Sequence, residues 1–548
     1  MNTRQIAPEL ILLHGNFHTQ DPNQPEVTAV SIGGGHILEV GSDAYIKSFM
    51  GTNTKIIDLG GRLGLPGMID SHFHFYDWAL GRQQLQLADV TSFKECMERV
   101  AYAASKAGPG KWIVGQGWNE SEWPENRMPN RYDLDTAAPF NPVALWRCDL
   151  HLAAVNSQAL QLAGIDKNTP NPPQGVIAKD SSGEPTGILR ELAPNLVRAA
   201  IKNPDDQELL EAMRDGITFL HTLGVTGLHD TRLMGGLEGA TALRGWQRLH
   251  EMGDLDLRCW AGIPGERLEE AAGLGLRTGL GNDRLRIGYL KYFADGGMGA
   301  RTAWMLEPYL DAACGMPLFP MNQFAEAIKK ADRAGLAVMI HAIGDRANRE
   351  VVSVFEELKK SRLRDKNNPY APPAISHRIE HVQMIRHEDL KRLALLGIPA
   401  CVQPHNMILD IGMIDESVGD KGKWTYAYRD MLDAGIPLLF SSDAPVCDAS
   451  PLVGIHAAVT RQRRDGTPEG GWYPHQRISV DEAVRGYTVT PAMAYGQDHT
   501  LGSITPGKYA DLIILEKNIY TIDPMEIADT KVDMTIFDGR IVYQRFDA

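Results

Sequence analysis

Eight short apolar runs, beginning near Met68, Val225, Leu257, Leu285, Ala337, Arg378, Ile398 and Leu438, read as strands, and most are separated by stretches with helical periodicity. Strands that alternate with helices pair in parallel, because a crossover helix is what returns the chain to the start of the next strand. Three such helices are expected at Phe324 to Ala334, Arg346 to Ser361 and Asp389 to Leu396, each between two of the runs. Eight repeats predict an α/β fold, a closed (β/α)8 TIM barrel whose strand ends share one rim.

Two regions fall outside the repeat. Residues 1–62 alternate like a meander, with a turn at Gly33-Gly34-Gly35, and residues 495–548 do the same through Asp511 to Leu515 and Val532 to Tyr543. These ends are expected to pair into a small composite β-sandwich domain, leaving residues 63–494 to the barrel. About 150 residues separate the first and second barrel strands, far more than a βα connection needs. A large insertion with its own structure is therefore expected over about 77–215. It is rich in aromatic and polar residues, as in Gly115-Gln116-Gly117-Trp118 and Trp146-Arg147-Cys148-Asp149-Leu150-His151.

The residues at the ends of the apolar runs carry the chemistry. In Asp70-Ser71-His72-Phe73-His74 the period of two places both imidazoles on one face of an extended segment, so one ion could be gripped by both. His341 and His381 each follow buried-looking strand residues, where an unpaired polar ring would be costly. A hydrogen-bonded core histidine is the plainer alternative for each. Neutral imidazole and carboxylate are good ligands for zinc and similar divalent ions, which can bring the pKa of a bound water to about 7. Asp443, in Ser441-Ser442-Asp443-Ala444-Pro445, could bind an ion and act as the base; a turn or helix-capping aspartate is the alternative.

Lys291 stands in Gly288-Tyr289-Leu290-Lys291-Tyr292-Phe293-Ala294-Asp295, where a charged ammonium would repel metals. Reaction with carbon dioxide would convert it to an anionic carbamate with two oxygens able to bridge two ions. From composition alone a lysine paired with Asp295 or another carboxylate is the better reading. Trp118, Arg147, Asp149 and His151 are candidates for pocket walls or substrate contacts, with packing of the insertion as the alternative. His405, in Gln403-Pro404-His405, is a further rim candidate.

A net charge of −14 argues against nucleic acid or an anionic membrane as the main partner and favours a small molecule. No apolar stretch is long enough to cross a bilayer, and the start lacks a signal-peptide pattern, so a cytoplasmic location is expected. Six cysteines are scattered singly and read as reduced thiols.

Taken together, Leu65-Pro66-Gly67-Met68-Ile69-Asp70-Ser71-His72-Phe73-His74, Gly115-Gln116-Gly117-Trp118, Lys291 with Asp295-Gly296, His341-Ala342-Ile343-Gly344-Asp345, Ile379-Glu380-His381, Ser442-Asp443 and Gly507-Lys508-Tyr509-Ala510-Asp511-Leu512 resemble the metal-dependent amidohydrolases, in the branch with N-substituted formamide deformylases. The resemblance spans nearly the whole chain. It implies a centre of two divalent ions, zinc being expected, in which carboxylated Lys291 bridges, His72 and His74 hold one ion with Asp443, and His341 and His381 hold the other. It also implies hydrolysis of a non-peptide C–N bond in an amide, N-substituted formamide or cyclic amide, with Asp443 carrying the proton to the leaving nitrogen. A heterocycle deaminase, a lactonase or esterase on the same barrel, and a catalytically silent scaffold are the alternatives. Barrels of this kind often associate, so a homo-oligomer is possible by analogy.

Overall fold

The computed structural model describes residues 7–202, 204–233, 238–364, 373 and 375–545. Its centre is one parallel sheet of eight strands, here β1 (Met68–Phe73), β2 (Val225–Asp230), β3 (Arg258–Pro264), β4 (Leu285–Phe293), β5 (Val338–Ala342), β6 (Arg378–His381), β7 (Ala400–Val402) and β8 (Leu438–Phe440), neighbours in chain order. Nearly every residue of these strands is buried, as expected for a sheet covered on both faces by its crossover helices. The expected crossovers are helices at Met321–Arg333, Asp345–Arg364 and His387–Leu396.

No ladder joins β8 to β1. The seam is closed instead by hydrogen bonds at the rim: the Asp443 N–H donates to the His72 carbonyl and the His74 N–H to the Ala444 carbonyl, both at 2.9 Å. The Ser442 N–H donates to the buried Asp70 carboxylate at 3.0 Å. Closure of the barrel is thus what brings the first and last functional segments together.

Between β1 and β2, strands from Leu85–Gln86 to Pro185–Glu191 form a separate six-stranded sheet with its own apolar core around Trp118, Trp123 and Leu145. Part of the expected insertion belongs to the barrel instead. The helix Asp206–Thr222 packs on β2 and on the helix Phe75–Gly81, and its start is fixed by a capping box between Asp205 and Glu208.

The chain ends form two further sheets that share a core of Leu12, Val30, Ile32, Leu512, Ile514, Met534 and Ile536. The boundary expected at residue 63 shifts, because Leu63–Pro66 pairs antiparallel with Leu512–Leu515 and so belongs to these sheets. Arg258 at the start of β3 clamps them to the barrel through both Asp511 oxygens, at 2.6 and 3.0 Å. Among the described residues no helix is long and apolar enough to cross a membrane.

Candidate metal centre

Parallel strands point their carboxyl ends the same way, so side chains near those ends converge even when the residues are far apart in the chain. His72 lies in β1 and His74 just beyond it, Lys291 in β4, His341 in β5, His381 at the end of β6, and Asp443 three residues past β8. All six are at most 6% exposed. Three residues here adopt the left-handed backbone region that non-glycine residues avoid: His381 at φ 69°, Val382 at φ 42° and Asp443 at φ 59°. Such strain persists where the surrounding fold imposes it, and here it turns two of the six side chains inward.

Asp443 Oδ1 stands 3.1 Å from His74 Nε2 and 3.2 Å from His72 Nε2, and Oδ2 stands 4.0 Å from His381 Nδ1. The His341 and His381 rings are 4.5 Å apart between centroids, and those of His72 and His381 5.1 Å. Lys291 Nζ lies 3.4 Å from His72 Nε2.

Burial keeps the His72, His341 and His381 rings neutral. Burial drives His72 and His341 well below the usual imidazole range and His381 down to about 4, with neighbouring cationic groups adding to the effect on His72 and His341. Burial also lowers Lys291 to about 8. Burial alone would raise the Asp443 carboxyl, but the His74, His381 and Lys291 side chains gathered around it outweigh burial and hold the group below its ordinary value.

Neutral imidazole nitrogens facing a carboxylate oxygen make a donor set for a cation. Asp443 Oδ1 is buried and accepts no hydrogen bond among the described residues, a cost that a bound cation would remove. Donor atoms of His72, His381 and Asp443 all lie within 4.8 Å of one another. A divalent ion therefore fits these residues.

Contacts beneath the rim orient these side chains, and their partners are not legible in the sequence. Glu380 accepts a short hydrogen bond from His72 Nδ1, which leaves Nε2 directed at Asp443. Glu380 is itself held by Arg378 Nε at 2.6 Å, and Arg378 also donates to the Ser71 carbonyl at 2.6 Å. His381 Nδ1 bonds Gln403 Oε1 at 2.8 Å. The only sequence signal for these roles is that Arg378 and Glu380 are charged residues inside an apolar run.

The pairing of Lys291 with Asp295 is not made. Asp295 accepts from the backbone N–H groups of Ile343, Gly344 and Trp304 at 3.0, 2.8 and 2.7 Å. Among the described residues no carboxylate oxygen lies within 4.0 Å of Lys291 Nζ.

The six residues line one cavity, which encloses about 1120 Å³ with its open mouth included. Arg147, Asp149 and His151 line it too. Arg147 is occupied by Glu120 at 2.8 Å and Asp149 at 2.7 Å. His151 bonds Glu191 at 2.8 Å, and its ring is 5.4 Å from that of His341.

Trp118 and His405 are not in the cavity wall. A bulge at Gly117 breaks the strand's alternation and turns Trp118 into the insertion core, where its indole N–H donates to the Leu145 carbonyl at 3.1 Å. Trp118→Ala is accordingly expected to destabilise the protein by about 3–5 kcal/mol, measured by urea unfolding, with KM little changed. His405 is the second residue of the helix Pro404–Val418, and the turn of that helix presents the next residue, Asn406, to the cavity instead.

The profile of an amidohydrolase family matches residues 55–543. Protein LONG AFTER FAR-RED 3 of Arabidopsis thaliana is 32% identical over 94% of this chain and 88% of its own length. N-substituted formamide deformylase of Arthrobacter pascens is 26% identical over 98% of both chains. The crystal structure of an uncharacterized metal-dependent hydrolase from Pyrococcus horikoshii OT3 superposes with a TM-score of 0.74 at 27% identity, over 94% of this chain and 99% of that one.

Proposed function

The chain belongs to the amidohydrolase family, and from that premise we propose that it hydrolyses a non-peptide C–N bond in an amide, N-substituted formamide or cyclic amide. The observation that carries the reading is the convergence of four imidazoles, a buried lysine and an anionic aspartate on one cavity at the carboxyl end of the barrel. His72, His74 and Asp443 would hold one divalent ion, and His341 and His381 a second, with zinc the expected metal. Bound ions of this kind acidify water to a pKa of about 7 and polarise a carbonyl.

The chain's own residues supply the rest. Burial lowers Lys291 to about 8, which brings the uncharged amine closer to reach at neutral pH. An uncharged amine can bond to carbon dioxide and lose a proton, which yields an anionic carbamate between the two sets of histidines. Asp443 takes the proton of the attacking water as the new C–O bond forms, then passes it to the nitrogen as the C–N bond breaks, since an unprotonated amide nitrogen is too basic to leave. Arg147, Asp149 and His151 face the substrate from the insertion. The match to an N-substituted formamide deformylase supports a formamide or a related amide.

The test is a screen of N-formyl amines, acyl amino acids, cyclic amides and lactones on metal-analysed enzyme. The expected result is close to two divalent ions per chain and equal release of amine and acid, lost on chelation and regained with metal. A reproducible single ion with ammonia release would favour deamination. Hydrolysis of lactones alone would replace the C–N reading.

A further inference from the structure

Among the described residues four carboxylates line the cavity: Asp149, Glu191, Asp410 and Asp443. Three have cationic or metal-site partners, Asp149 with Arg147, Glu191 with His151, and Asp443 within the histidine cluster. Asp410 differs. Its Oδ2 accepts from the Tyr426 hydroxyl at 2.6 Å and from Gln383 Nε2 at 2.9 Å, and both donors are neutral and only 2% exposed. Among the described residues no basic nitrogen lies within 4.0 Å of this carboxylate, and Oδ1 accepts no hydrogen bond. Arg147 acts on it only at longer range and is already occupied by Glu120 and Asp149.

The surroundings sharpen the contrast. Asp410 sits on the helix Pro404–Val418, and Leu409 and Met413 of the same helix line the cavity with it, as does Met298. Burial raises its carboxyl to about 6, so the group is still mostly ionised at neutral pH. An anion fixed by two neutral donors, flanked by apolar side chains and with one oxygen open, is complementary to a cation brought in by a ligand.

We infer that Asp410 determines specificity by binding a cationic nitrogen of the substrate, so that the preferred substrates are amides or formamides that also carry an ammonium or amidinium group away from the bond being cut. This rests on the hydrolase reading above. Asp410 orients the substrate and takes no part in proton transfer at the scissile bond. Tyr426 and Gln383 position it.

The experiment compares mono-N-formyl-α,ω-diaminoalkanes of three to six carbons with uncharged N-formylalkylamines of matched length, on the metal-loaded enzyme. Wild type should favour the cationic member by about 10- to 100-fold in kcat/KM at the best spacing, the worth of a hydrogen bond between charged groups. Asp410→Asn, which keeps the shape and the Tyr426 contact, should abolish the preference by raising KM for the cationic series toward that of the uncharged series. Tyr426→Phe should give a partial loss. Equal kcat/KM for both series in wild type, or a preference kept by Asp410→Asn, would overturn the inference. Calorimetric binding of the same pairs to Asp443→Asn reads recognition without turnover. If wild type hydrolyses neither series, the formamide reading fails, while a binding preference lost with Asp410→Asn would still uphold the cation site and equal binding would reject it.

Discussion

Replacing Asp443 with Asn is expected to lower kcat by about 10²- to 10⁴-fold, the usual worth of positioned acid–base catalysis, in a protein that still folds and still carries metal. The residue's backbone contact, its N–H on the His72 carbonyl, survives the change and keeps the β8–β1 seam closed. What is lost is the anion. Asp443 is held below the ordinary carboxylate range and so is charged at neutral pH, with Oδ1 accepting no hydrogen bond. An amide can neither accept the water proton nor deliver it to the leaving nitrogen. The measurements are kcat and metal content on the same preparation. Wild-type turnover in the variant would remove Asp443 from proton transfer, and loss of metal with activity would make it chiefly a ligand.

Lys291→Ala should cost metal and activity together. Loss of a group that merely orients a ligand weakens metal binding by about 10- to 100-fold, so loss of a bridging ligand should reach at least the upper end of that range. The amine is 2% exposed and has no carboxylate partner within 4.0 Å among the described residues, so an ion-pair role would not explain such a loss. A short carboxylic acid, small enough for the space the side chain vacates, should restore part of both by supplying two anionic oxygens. Full metal loading in the alanine variant would end the bridging assignment. An unchanged far-ultraviolet circular dichroism spectrum would separate loss of a ligand from loss of the fold.

These two residues differ in how legible they were. Asp443 and the four histidines stand beside short apolar runs whose ends can be read locally, and each run became a barrel strand within a few residues of where its apolar pattern starts. Lys291 could be placed on a strand, but its two readings could not be separated locally, since nothing nearby says whether Asp295 turns toward it. The fold answers by assigning Asp295 to three backbone N–H groups of other segments. Trp118 takes the packing alternative for a local reason: the bulge at Gly117 reverses the side-chain alternation that a plain strand would keep. Glu380 and Asp410 were passed over because their roles are defined by distant or folded partners. Glu380 meets His72 across 308 residues. Asp410 matters for the cation that is missing beside it, and an absence of neighbours exists only once the chain is folded.

By itself the sequence determined the alternation of strand and helix, the common rim and the residue types placed on it, because hydrophobic periodicity and turn chemistry act over a few residues. Only the tertiary structure decided which polar groups meet: the seam that seats Asp443 between His72 and His74, the carboxylate that turns His72, and the helix that leaves Asp410 open to the cavity. The reason is physical. A buried polar group must find a partner or bear the cost of lacking one, and which partner is within reach depends on barrel closure and helix packing, to which segments hundreds of residues apart contribute equally.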